Sequence, residues 1–246
     1  MNPAIVSVLV RRDLRLFFRQ PSRILGALAQ PLLFWLVLGT GLAPSFAAPD
    51  GGVGYRQFFY PGVVVMMLLF TSISTTMSVI EDRHQGFLQG VLAAPGGRAS
   101  LALGKILGGS AVALLHALLL LPLAPLAGFP IGSANFGIVC AALVFGAVGL
   151  TSVGFLFAWR IDSTAGYHVV MSVVLLPLWV LSGALFPLGP THPVMAWAGR
   201  LNPMTYAVSA LRDGLSGAPA AAGLANVGIL ALLTFAALFF ASRTRG

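Results

Sequence analysis

Charge is what this sequence has least of. Only 8% of its 246 residues are Asp, Glu, Lys or Arg. Soluble domains carry about 25%, so a water-facing globular surface is excluded. Cysteine is nearly absent as well. The single Cys140 sits in an apolar run, where it reads as a small core residue. It rules out a disulfide framework and a thiol-based metal site. Catalytic patterns are missing too: there is no HExxH and no GxSxG.

What fills the chain is apolar: 58% of the residues are hydrophobic. The net charge of +8 does not point to nucleic acid, because the basic residues lie between apolar runs, as the positive-inside bias requires. The first apolar stretch, residues 24–43, is 20 residues long. That exceeds the roughly 7–15 of a signal-peptide core, so this stretch is expected to remain as an anchor in the lipid bilayer.

The fold class expected is an all-α membrane protein. Residues 3–20 read as an amphipathic interface helix. Arg11, Arg15 and Arg19 fall on one side with Arg12 beside them, and Ile5, Leu9, Leu16 and Phe17 lie in an apolar arc. Asp13 falls inside that arc, where it needs a basic partner that the sequence does not name. Six spans follow, at 24–43, 58–80, 101–126, 134–158, 164–186 and 224–241, each near the ~20 residues that cross a bilayer. Residues 106–159 carry no charge but cannot be one helix, which would measure ~80 Å against a ~30 Å core; Gly128–Ser133 is the turn that divides them.

The polar island at 81–100 interrupts these runs. Phe87, Leu88, Val91 and Leu92 share one helical side, and Pro95 with Gly96 and Gly97 stops the helix. Glu81, Asp82 and Arg83 are expected at the start of this surface helix, where acidic groups suit the dipole. On the other side of the membrane, residues 187–222 are expected to form an apolar helical hairpin dipping into the outer leaflet. Asn202 is a good N-cap, Pro203 suits the first helical position and Gly214 the C′ position; a second short helix is expected at 194–198. Counting Lys and Arg, eleven fall on the side of both termini and the island, against Arg56, Arg200 and Arg212 on the other. Both termini and Arg98 are therefore expected in the cytoplasm, with Asp50 and Thr191 outside.

Several motifs need weighing. Gly97–Lys105 approaches a phosphate loop, but Ala99 stands where glycine is required and Ile106 where Ser or Thr is, so the chain carries no nucleotide site. Gly104 and Gly108, followed by Gly109 and Ser110, mark a close helix–helix contact rather than an intramembrane nucleophile. Thr71, Thr75 and Ser78 share a face of the second span, suited to interhelical hydrogen bonds or to lining a path. His116 is eleven residues beyond Lys105, roughly 16 Å deep, and an ionisable group there is a functional candidate. His168 falls nearer the interface. No spacing makes a metal site.

Three stretches carry a resemblance. They are Tyr55-Arg56-Gln57-Phe58-Phe59-Tyr60-Pro61-Gly62; Glu81-x-Arg83-x-x-Gly86, continuing to Ala94-Pro95 and Gly104-Lys105; and Leu201-Asn202-Pro203-Met204-Thr205-Tyr206 with Arg212. In this order and spacing the chain resembles the permease subunits of type 2 ABC exporters, which include drug, lipid and polysaccharide export permeases. It departs from that pattern at Phe87-Leu88-Gln89, where the family often has Thr-Leu-Glu.

The resemblance implies a coupling helix read by an ATPase, with Glu81, Asp82, Arg83, Gly86, Phe87, Leu88 and Val91 as contact residues. It implies an exterior gate at Asn202, Pro203, Met204, Tyr206 and Arg212. Thr71, Thr75, Ser78 and His116 are the candidate path-lining residues. It further implies a homodimer, or a heterodimer with a similar permease, in the cell (cytoplasmic or inner) membrane, bound to two ABC ATPase subunits. The chain itself is then no enzyme and holds no cofactor, ATP and Mg residing on the partners. Two other classes remain open: a secondary transporter or channel without an ATPase, for which only His116 offers a path ionisable group, and an intramembrane enzyme.

Overall fold

The computed structural model describes residues 2–45, 53–92, 97–130, 132, 134–187 and 193–243. Asp50, Ala94, Pro95, Thr191 and Arg245 lie outside the described residues, as does the side chain of Leu92. Among the described residues eleven α-helices run in order: α1 (Pro3–Arg19), α2 (Pro21–Gly41), α3 (Tyr55–His84), α4 (Phe87–Leu92), α5 (Gly97–Leu120), α6 (Ala124–Ala127), α7 (Phe136–Arg160), α8 (Thr164–Trp179), α9 (Pro193–Leu201), α10 (Pro203–Ser216) and α11 (Ala220–Ser242). No strand occurs among the described residues. Six helical segments among the described residues are long and apolar enough to cross a membrane: Ile24–Gly41, Tyr55–His84, Arg98–Ala127, Phe136–Arg160, Thr164–Ala184 and Ala220–Ser242.

Local chemistry sets the helix ends. The Asn2 side chain caps α1 by accepting from the Ala4 amide, and Pro3 opens the helix. Only Gln20 breaks the helical backbone before Pro21 starts α2. Asn135 caps α7, Ser163 caps α8 and Asn202 caps α10. The far end of α10 differs from expectation. It runs on to Ser216 and closes at Gly217, whose φ of 69° is left-handed. Gly214 is instead a packing residue: a Cβ there would lie 2.9 Å from Val139 Cγ2. A side chain at 214 would push α7 away, so this glycine reports a crossing rather than a helix stop.

α3 is the axis. It packs against α2, α5, α7, α8 and α10, and its stretch from Phe58 to Leu69 is fully buried. By contrast α2, α8 and α11 leave long apolar faces uncovered, with Leu25, Val37, Val173, Leu232 and Phe235 all exposed. These are the faces that lipid or a second chain would cover.

The end of α8 is wound as a π-helix, Val180–Ala184, with Gly183 at φ 77°. Here α3 comes in close: a Cβ on Gly62 would lie 2.6 Å from Ala184 Cβ and 2.9 Å from its Cα. The Trp179 indole donates to the Gly62 carbonyl at 2.8 Å, and the Tyr55 hydroxyl to the Leu185 carbonyl at 3.1 Å. Because backbone lines that contact, Gly62→Ala should destabilise the protein by about 1–3 kcal/mol of overpacking. Gly228 has open space beside it, so Gly228→Ala should instead stabilise α11 by up to ~1 kcal/mol. Thermal unfolding of both variants in detergent should show melting temperatures moving in opposite directions.

Candidate functional site: the turn between α3 and α5 and the cavity beneath it

The first correction concerns helix ends. Glu81, Asp82 and Arg83 do not open the surface helix; they form the last turn of α3, which runs to His84. No residue between Ile80 and His84 interrupts helix formation. The break comes at Gly86, whose φ of 74° only glycine adopts cheaply. Cations suit this C-terminal end. Arg83 bonds Asp162 at 2.6 Å and the Trp159 carbonyl at 2.7 Å, so it caps the end of α7. His84 Nε2 lies 2.6 Å from the Asp162 carbonyl.

Asp82 points inward and is 2% exposed, so it is not part of a surface offered to a partner. Arg12 of α1 grips both of its oxygens, at 2.6 and 2.9 Å. Lys105 of α5 approaches to 2.5 Å. The same ammonium reaches Ser78 Oγ at 3.1 Å and Asp13 at 3.9 Å. Arg12 therefore turns away from the basic face of Arg11, Arg15 and Arg19, and Lys105 is the basic partner that Asp13 required. The bonds to Asp82 hold the Arg12 guanidinium above its ordinary pKa, while burial raises the Asp13 carboxyl above its own.

The glycines make this junction possible. A Cβ on Gly104 would lie 2.6 Å from Leu9 Cδ1, and one on Gly108 2.5 Å from Asp13 Oδ2. The small-residue pair of α5 thus receives α1, and it brings Asp13 within reach of Lys105 and Arg12 within reach of Asp82.

The short helix α4 divides its apolar residues. Leu88 is 3% exposed and joins the chain's own core, with Val91 packed against it. This corrects the expectation of Leu88 and Val91 as contact residues for an ATPase: α4 folds back onto α3 and α5, so one side is satisfied internally. Phe87 is the outward residue, 39% exposed, with the Arg12 guanidinium 4.5 Å from its ring centre. Glu81, Gln85, Gly86 and Gln89 are exposed around it.

Under this turn lies a cavity of about 500 Å³ between α1, α2, α3, α5 and α8. It collects Thr71, Thr75, Ser78 and His116, the four path-lining candidates, together with Asp13 and His168. His116 is buried, its Nδ1 3.1 Å from the Val112 carbonyl of its own helix and its ring edge-on to Phe17.

At the opposite end of α3 the five gate candidates divide as well. Asn202 is buried; it caps α10 and donates to the Leu178 carbonyl at 2.5 Å. Pro203 is half-buried, and Met204 is buried. The Tyr206 hydroxyl donates to the Arg200 carbonyl at 2.6 Å. Arg212 donates to the Phe58 and Gly183 carbonyls and lies over the Phe58 ring. Burial pushes Arg212 down to about 10, which leaves it charged at neutral pH. These residues rivet α10 to α3 and to the π-turn of α8.

Comparison with known proteins shows the family of this membrane bundle. The ABC-2 type transporter family matches residues 5–216. The chain belongs to that family. It is 30% identical over 210 residues to ycf38 of Cyanophora paradoxa, which carries the name of a transport permease, covering 83% of this chain and 72% of that one. It is 27% identical over 231 residues to the daunorubicin resistance ABC transporter permease protein DrrB1 of Streptomyces coeruleorubidus, covering 89% and 76%. Nodulation protein J of Neorhizobium galegae is 28% identical over 234 residues, covering 86% and 81%. As an ABC-2 permease with six membrane-length helices among the described residues, the protein is a multi-pass transporter subunit, and its relatives ycf38 and DrrB1 carry the names of permeases.

Sequence reasoning missed Arg12, Asp13, Lys105 and Asp162 as parts of this ABC-2 permease's site. A signal existed: Asp13 is misplaced in an apolar arc, and Lys105 is the last charge before a long apolar run. Each side chain's partner is remote in sequence, so only packing could pair them. Removing Asp82 strands the buried Lys105 ammonium and a half-buried Arg12 guanidinium, so Asp82→Asn should cost about 3 kcal/mol. Asp13→Asn should be far milder. Because burial raises Asp13 from its ordinary 3.8, its contribution is fully present below 3.8 and is lost as pH rises through the folded value. Wild-type stability should therefore fall over that window while Asp13→Asn stays flat, as melting curves across pH 4 to 7 would reveal.

Proposed function

We propose that this permease is the membrane half of an ATP-driven exporter. Two copies, or one copy and a similar permease, enclose a path for an amphipathic, lipidic or drug-like molecule or a polysaccharide, and two ABC ATPase subunits supply the energy. ATP and Mg stay on those partners. The observation that carries this reading is the turn at Gln85–Gly86 with α4. It joins α3 and α5 directly, and Asp82 ties it to α1 through Arg12 and to α5 through Lys105. A push on the exposed Phe87 is thereby delivered to three helices at once. Names among the relatives support export of small amphipathic cargo, since one is a daunorubicin resistance permease.

The cytoplasmic side then holds both termini, Arg98 and the turn, in an inner or plasma membrane. α1 lies along the interface, with the exposed Arg11, Arg15 and Arg19 towards lipid phosphate. The hairpin of α9 and α10 enters the outer leaflet and closes the path. The uncovered faces of α2 and α8 flank α3 and suit the contact between two permeases.

Truncating an interface anchor commonly costs about 2 kcal/mol, or roughly thirtyfold in affinity. Phe87→Ala should therefore lose the ATPase on co-purification while the permease keeps its melting temperature. Leu88→Ala should lower the melting temperature as well, because Leu88 belongs to the chain's own core. Glu81→Ala should keep the ATPase but uncouple hydrolysis from transport. If Phe87→Ala and Glu81→Ala both retain wild-type binding, hydrolysis and transport, the turn is only a loop. Recovery of the wild-type permease from native membranes without any ATPase would favour the secondary transporter instead.

A further inference from the structure

The cavity beneath the turn has a chemical bias that the permease reading does not assign. Its hydroxyl protons are largely spent. Thr75 donates to the Thr71 and Ser72 carbonyls, and Ser78 donates to Thr75 at 2.6 Å while accepting from Lys105. What these groups still present to the cavity is lone pairs. Asp13 adds a carboxylate whose side chain is only 13% exposed. Among the described residues it accepts no hydrogen bond, and its nearest cation, Lys105 at 3.9 Å, is held closer by Asp82 at 2.5 Å. Thr71, 4% exposed, lines the same space, and its Oγ1 has no hydrogen-bond partner among the described residues. Phe17 and Phe70 supply flat apolar wall.

Gln20, Gln30, His116 and His168 complete the polar lining, but the carboxylate with the Thr75 and Ser78 oxygens beside it and aromatic rings nearby is complementary to a cation with N–H donors on an apolar body. We propose that this cavity binds an amphipathic organic amine, its ammonium on Asp13 and the Thr75 and Ser78 oxygens, and its hydrophobic part between Phe17 and Phe70. The proposal rests on the permease reading for its role in transport, but the site is defined by this chain's own residues. Burial raises the Asp13 carboxyl, which an entering ammonium would reverse by supplying the charge that the site lacks. Ser78 and Thr75 lie on the helix that carries the turn, and Lys105 touches Ser78, Asp13 and Asp82 together. Occupancy is thus felt at the ion cluster behind the turn.

The test uses the full chain, purified with whatever ATPase accompanies it, in lipid nanodiscs. Quinacrine, a protonated tertiary amine on an acridine, is the cationic probe; acridine and 8-anilinonaphthalene-1-sulfonate are the neutral and anionic ones. Quinacrine should bind above the empty-nanodisc background. Asp13→Asn should weaken it by about tenfold or more, the scale of one lost charge pair, and leave acridine unchanged. In a Cys140→Ala background, Ser74→Cys places a thiol at an exposed position of the cavity wall. Relative to a free thiol, it should react faster with a cationic methanethiosulfonate than with an anionic one, and quinacrine should slow it. Equal quinacrine affinity in Asp13→Asn, or a reaction ratio favouring the anion, overturns the proposal. If Asp13→Asn does not fold, the Ser74→Cys ratio and its protection by quinacrine decide. A chain that brings its ATPase but ignores quinacrine refutes only the amine site. One that lacks an ATPase yet binds quinacrine through Asp13 refutes only the ATP-driven reading.

Discussion

The structure depends on one carboxylate. Asp82 is buried between a guanidinium from α1 and an ammonium from α5. Ions taken out of water cost several kcal/mol each, and only close, well-aligned partners offset this. The geometry meets that condition, with two bonds from Arg12 and one from Lys105. Such a cluster tolerates little drift, because any separation exposes an unpaired charge to a low-dielectric surrounding. Three helices far apart in sequence are therefore held in one register at one end of the bundle.

The opposite end of α3 is held by different means. There the contact is between backbones, made possible by Gly62 and by the π-turn of α8, and secured by Trp179, Asn202 and Arg212 donating to main-chain carbonyls. In lipid every backbone polar group needs a partner. A π-turn with a left-handed glycine leaves carbonyls outside the regular ladder, and Arg212 and Tyr55 satisfy those of Gly183 and Leu185. α3 is thus a rod gripped by charges at one end and by backbone contacts at the other. The cavity lies alongside it, towards the charged end. Movement of the turn has a short mechanical route to the cavity wall, since Ser78 is one turn of helix from Asp82 and bonds the same lysine.

Stability and function compete at this cluster. Asp13 shares its nearest counter-charge with Asp82, which holds Lys105 more closely. A site that keeps a carboxylate short of charge is poised for a ligand in a way that a fully paired one is not. The same reasoning separates Phe87 from Leu88. Adjacent in sequence and alike in hydrophobicity, they differ in that Leu88 is covered by the chain itself whereas Phe87 still faces outwards.

The sequence by itself determined the class of protein, the six membrane-length helices, the polar turn between the second and third, and the Asn202–Pro203 start of α10. Each follows from local composition, hydrophobic length or capping chemistry. It also marked Gly104 and Gly108 as a close contact and singled out Thr71, Thr75, Ser78 and His116, though not that they share one cavity with Asp13. Where reading alone misplaced things, a distant partner was responsible. Local sequence makes Asp82 a surface acid, but Arg12 and Lys105 bury it in an ion cluster. It makes Leu88 a partner contact, but α4 folds against α3 and α5 and covers it. It makes Gly214 a helix stop, but α7 crosses there and α10 runs on to Ser216. Tertiary structure decided these, because the energy of a charge, a methyl group or a missing Cβ is set by what lies across the helix interface, and that neighbour is not written in the adjacent residues.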